Sequence, residues 1–166
     1  MPYPAAAIAN EFIKLAEESN RQITPMKLQK LVYFAHGWYL ALTGNPLVNE
    51  PIQAWKFGPV IPSLYHALKA YGNSPITGHV RNEAESLFGE YGISFIDAGP
   101  NPKENEQVKE LVKRIWELYG SFSAVQLSNL THEPQSPWST TADRDKKRVP
   151  IDQDKIRDYF LAQAKR

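Results

Sequence analysis

Four histidines, His36, His66, His79 and His132, are the residues best suited to hold a metal or move a proton near neutral pH. No two share the short spacing of a zinc site, so only the fold could bring them together. Glu133 follows His132, but Pro134 comes next and breaks the helix that a metalloprotease motif requires. The chain has no cysteine, which removes disulfides, thiol nucleophiles and thiolate metal sites. Walker-type phosphate loops, dinucleotide fingerprints and Gly-x-Ser-x-Gly elbows are missing from the sequence. His132 with Ser128 or Asp143 can be written as part of a hydrolytic triad, yet a chain of this length supplies such combinations by chance. The expectation is a protein without catalytic site, metal or cofactor.

Binding chemistry is better represented. Trp55, Phe57 and Pro59 form an aromatic segment around Lys56 and Gly58, with Tyr65 shortly after, and aromatic side chains are enriched at binding hot spots. Core packing is the expectation for Trp55; for Phe57 and Tyr65 core and partner contact are both open. Lys27 and Lys30 are placed on the outward side of a helix whose other face is apolar. His36 on that helix reads as partly buried or interfacial, with partner contact as the sharper alternative. Trp138 is expected to pin a polar loop by burying its ring. Arg144, Lys146, Lys147 and Arg148 are one cationic cluster, interrupted by Asp145. A solvated loop is the plain reading, and a nucleic-acid contact the alternative. A net charge of +1 supplies no broad basic field for nucleic acid.

These residues need elements to position them. At 166 residues and 42% hydrophobic, the chain suits one domain with a sizeable core. No apolar run reaches the roughly 18 to 20 residues that span a bilayer. Met1 to Asn10 has no basic segment before its small residues, so no signal peptide is expected and the cytoplasm is the default location. Ala5, Ile8, Ala9, Phe12, Ile13 and Ala16 predict a first helix. Thr24 as cap and Pro25 at the first position start a second, carrying Leu28, Leu31, Val32, Ala35, Tyr39 and Leu42 and ending at Gly44. Gly37 within it implies a close neighbour. Residues 52–56 read as a strand that pairs with a second around Ile93 and Phe95. Pro62 and Ser63 open a third helix that stops at Gly72, and residues 83–88 suit one or two helical turns.

Asn101 and Glu104 resemble a capping pair before the stripe Val108, Leu111, Val112, Ile115, Trp116 and Tyr119. Ser123 and Gln126 have capping-box form. Little regular structure is expected in residues 131–150, with Pro134, Pro137 and Pro150, before a terminal helix capped by Asp152. The predicted class is mainly α: a compact bundle of about five to seven helices with a small two-stranded β element.

Three segments in order carry a family resemblance. They are Met26-Lys27-Leu28-Gln29-Lys30-Leu31-Val32-Tyr33, Ala54-Trp55-Lys56-Phe57-Gly58-Pro59-Val60-Ile61-Pro62-Ser63-Leu64-Tyr65, and Leu130-Thr131-His132 ahead of Pro137-Trp138. Together they resemble the Panacea domain, the family of SocA-like and GepA-like phage-associated proteins. The resemblance covers about residues 8–138 of a single domain spanning 1–166, leaving a C-terminal loop and helix at 139–166. It implies an antitoxin that neutralises a protein toxin encoded by an adjacent gene, by direct binding, with delivery to a bacterial protease as a possible mode. The chain has no obvious spare length for the DNA-binding module that some relatives carry. The sites expected to meet the partner are Lys27, Lys30, His36, Trp55, Phe57, Pro59, Tyr65, His132 and Trp138.

Overall fold

The computed structural model describes residues 2–81, 93–143 and 147–165. Helix α2 (Pro25–Thr43) is the element on which the others are arranged. Every residue from 28 to 37 is buried, which is the pattern of a helix enclosed on all sides rather than one with a wet face. Helices α1 (Ala5–Glu18), α4 (Pro102–Tyr119), α5 (Ala124–Thr131) and α7 (Gln153–Ala164) pack on it, together with α3 (Pro62–Leu68). Short helix α6 (Pro137–Thr141) contacts both α5 and α7. Short 3₁₀ turns occupy 69–71 and 96–98. The fold is mainly α, with seven α-helices among the described residues. None of them is long and apolar enough to cross a membrane.

Most helix ends follow local chemistry. The Asn101 side chain accepts from the backbone N–H groups of Lys103 and Glu104 at 3.1 and 3.3 Å. Ser123 and Gln126 complete a reciprocal capping box, and Asp152 accepts from the Asp154 N–H at 3.0 Å. Gly44 ends α2 with a φ of 75°, a conformation glycine adopts without a Cβ penalty. Thr24 differs from expectation: its side chain makes no cap bond, and its carbonyl alone starts the helix by accepting from the Leu28 N–H at 2.9 Å.

The sheet corrects the expected pairing. Strand β1 (Gln53–Trp55) pairs antiparallel with β2 (Gly58–Val60) through a two-residue turn, Lys56 and Phe57, and on its other side with β3 (Val149–Pro150). Both edges of β1 are therefore occupied, and Ile93 makes only an isolated bridge to Arg81. Pro59 sits on β2, an outer strand of the order β2-β1-β3, where proline's missing N–H is tolerated. Strand β3 and helix α6 also bring regular structure into the 131–150 segment. There Ser136 caps α6 by accepting from the Ser139 N–H at 3.1 Å. The turns expected at 83–88 lie outside the described residues.

Two buried contacts fix the bundle. Asn10 donates to the carbonyls of Val80 and Ser94 at 3.0 and 2.9 Å and accepts from the Val80 N–H at 2.6 Å. Gly37 faces the Phe160 ring, where an added Cβ would overlap the ring carbons. Phe160 meets Tyr33, Phe34 and Trp38 edge-on at centroid distances of 5.8, 6.1 and 5.3 Å, an arrangement that aromatic quadrupoles favour. Gly37→Ala is expected to destabilise the protein by about 1–3 kcal/mol in urea denaturation, since overpacking outweighs the gain in helix propensity. Adding Phe160→Leu should recover part of that loss; strictly additive effects would show that the notch is not the cause.

Candidate functional site

The β1–β2 hairpin is held by side chains from three helices. From α2, the Gln29 amide donates to the Ile61 carbonyl at 3.0 Å and accepts from the Ile61 N–H at 3.1 Å, while Lys30 Nζ donates to the Pro59 carbonyl at 3.1 Å. From α5, Ser128 Oγ donates to the Phe57 carbonyl at 2.7 Å. From α6, Trp138 Nε1 donates to the Trp55 carbonyl at 2.6 Å. Gly58 has a φ of 120°, and a Cβ there would stand 2.7 Å from Thr131 Oγ1 and 3.1 Å from Lys30 Nζ. Glycine is required by backbone conformation and by space.

Several residues expected on an outer surface are structural. Lys30 is 1% exposed, and burial lowers its amine from the ordinary 10.5 to about 7. Its predicted outward position fails because α2 is covered all round. Lys27 is half-buried and also turned inward. Its Nζ donates to the Gly120 carbonyl at the end of α4 at 2.5 Å and lies 5.5 Å from the Trp116 ring centroid, so a cation answers a helix C-terminus. Burial, then the nearby Arg21 charge, lower its pKa. His36 is fully enclosed: Nδ1 accepts from the Val48 N–H at 3.3 Å and Nε2 meets Gln153 Oε1 at 2.7 Å. That geometry fits a neutral ring protonated on Nε2, and burial lowers its pKa. Pro59 is buried in β2.

His132 and Trp138 form a stacked pair, with ring centroids 3.9 Å apart and planes 12° apart. Trp138 thus pins its segment as expected, through both this stacking and its bond to Trp55. No triad forms with Ser128, whose hydroxyl bonds to Phe57. The His132 Nε2 is buried without a hydrogen-bond partner, and burial lowers the ring's pKa.

The opposite side of the hairpin is open. Phe57 at the turn is 57% exposed and Tyr65 on α3 is 41% exposed. Trp55 is half-buried, with its ring edge-on to Tyr65 at 4.8 Å and the Arg148 guanidinium carbon 4.0 Å from its centroid. These residues, with Met26 and Leu68, line a cleft of about 600 Å³ between the hairpin, the start of α2 and the end of α3. Lys56 and Lys69 stand on it, and Lys30 reaches it from inside. The cleft therefore joins Trp55, Phe57, Tyr65 and Lys30 from the expected set but leaves Lys27, His36, Pro59, His132 and Trp138 outside its lining.

Of the cationic cluster, Lys147 is exposed and Arg148 folds onto Trp55; Arg144 and Lys146 lie outside the described residues. Sequence reasoning missed the supporting roles of Gln29 and Ser128 and the place of Lys56, Lys69 and Arg148 in the cleft. The polar pair Gln29 and Lys30 between Leu28 and Leu31 was the available signal for the first of these. Its inward direction depends on what covers the helix.

The model of the antitoxin SocA-like, Panacea domain family matches residues 28–139. The chain is also similar to antitoxin SocA of Caulobacter vibrioides (strain NA1000 / CB15N), with 34% identity over 139 residues, covering 83% of this chain and 70% of that protein. No solved structure matches.

Lys30, within the matched span, gives stability a definite pH dependence. Between about pH 7 and 10.5 the unfolded chain holds this proton and the folded protein does not. Stability contributed by Lys30 should therefore rise with pH across that window, by at most about 1.4 kcal/mol per unit. Urea denaturation at pH 7.5 to 9.5 should show the rise, and Lys30→Met should flatten it. An unchanged slope in the variant would mean that the buried amine keeps its proton.

Proposed function

The chain belongs to the SocA-like Panacea antitoxin family, and from that membership we propose that it neutralises a protein toxin by binding it directly through the open side of the hairpin. The observation that carries this reading is the exposure of Phe57 and Tyr65 beside Trp55, on a hairpin fixed from behind by three helices. A large aromatic side chain held at a surface by a rigid support binds with little ordering cost, which is the usual make-up of a hot spot. The protein acts without chemistry of its own: Ser128 supports the backbone, and Lys30 and His36 are enclosed. The partner is the product of an adjacent gene. Delivery of the bound toxin to a protease is compatible with this surface, since the rest of the bundle stays uncovered in such a complex.

The test is growth with the adjacent gene induced alone and together with this protein, followed by copurification. Wild type is expected to relieve toxicity and to be recovered in a complex. Phe57→Ala with Tyr65→Ala should weaken binding about 1,000-fold, taking roughly 2 kcal/mol for each hot-spot side chain, while circular dichroism stays unchanged. A harmless neighbour that forms no complex at micromolar concentration would sink the reading, and full rescue by the double variant would place the contact elsewhere.

A further inference from the structure

The charge of the cleft is one-sided. Lys56, Lys69 and Arg148 are in its lining, and among the described residues no aspartate or glutamate is. This is not a reflection of composition, because 19 basic and 18 acidic residues nearly balance over the whole chain. Elsewhere the balance is local: Lys109 pairs with Asp97 and Glu106, Arg114 with Glu117, and Arg157 with Asp154 and Asp158. Lys56, Lys69 and Arg148 make no ion pair among the described residues. Two of them lie on rings instead, with Lys56 Nζ 5.4 Å from the Phe57 centroid and Arg148 over Trp55.

Resting on the antitoxin reading above, we propose that this cleft recognises an acidic segment of the partner protein, one that sets carboxylates against Lys56, Lys69 and Arg148 and an apolar or aromatic side chain between Phe57 and Tyr65. Charge complementarity of this kind steers encounter and rejects wrong partners, and guanidinium or ammonium bonds to carboxylate are stronger than neutral ones. The same cations would attract a polynucleotide, but the aromatic geometry disfavours it. Trp55, the largest ring of the cleft, has a face taken by Arg148 and packs edge-on with Tyr65, so that ring is closed to base stacking. An extended acidic chain needs no such face.

The experiment uses the full chain as wild type, as Lys56→Glu with Lys69→Glu, and as Lys56→Arg with Lys69→Arg. Each is titrated against a labelled random copolymer of glutamate and tyrosine, and against labelled single-stranded DNA and RNA of mixed sequence. Both lysines are exposed, so the variants are expected to keep the wild-type circular dichroism. The wild type should bind the copolymer with an affinity that falls as salt rises. The glutamate variant should bind at least tenfold more weakly and lose growth rescue, and the arginine variant should retain both. Copolymer binding within threefold of wild type in the glutamate variant overturns the proposal, as does tighter binding of either oligonucleotide. If wild type still rescues growth under those results, the antitoxin reading stands and only the acidic-segment proposal falls. If wild type neither rescues nor copurifies with the neighbouring gene product, both fall together.

Discussion

A hairpin with three residues in each strand cannot hold itself in water. Everything about this site depends on how the hairpin at residues 53–60 is secured. Its carbonyls at Trp55, Phe57 and Pro59 are taken by Trp138, Ser128 and Lys30, and its exit at Ile61 is gripped on both backbone groups by Gln29. Each bond contributes on the order of 1 kcal/mol net, but jointly they fix position as well as energy. The three sequence segments that carry the family resemblance are the hairpin and its two supports, one on α2 and one spanning α5 and α6. Their order in the chain has a mechanical reason. Losing any one support leaves a carbonyl of the hairpin or its exit without that partner.

Lys30 is the least expected of these supports. Burying a cation away from water costs several kcal/mol, and the usual relief is a paired carboxylate or loss of the proton. Among the described residues its one hydrogen bond is to the Pro59 carbonyl, and burial moves its titration close to neutrality. Glutamine or an apolar residue would be cheaper in the core. A long amine is the side chain that spans from α2 to the far strand and still meets Gly58 closely.

The legible part of the fold was the part written in neighbouring residues. Asn101, Ser123 with Gln126, Asp152 and Gly44 mark helix ends by chemistry that acts within a few positions, and the structure places them there. Gly37 announced a close neighbour without saying which, because Phe160 lies more than a hundred residues along the chain. Strand pairing was not legible: Gly58 and Pro59 look like a terminator, yet here they form a strand whose missing donor faces no partner. Nor was the direction of Lys27, Lys30 and His36. Helical spacing assigns a face, but α2 has no outer face in its middle. For the site, Trp55, Phe57 and Tyr65 were visible as aromatic residues near a turn. The contribution of Arg148 was hidden, since it depends on β3 returning to β1 from almost a hundred residues away.

That return joins two duties in one stretch of chain. Strand β3 closes the free edge of β1 and delivers Arg148 to the cleft wall, and α7, directly after it, lays Phe160 into the notch at Gly37. Core cover and recognition are consequently tied: loss of this stretch would remove a wall of the cleft and the cover of α2 together.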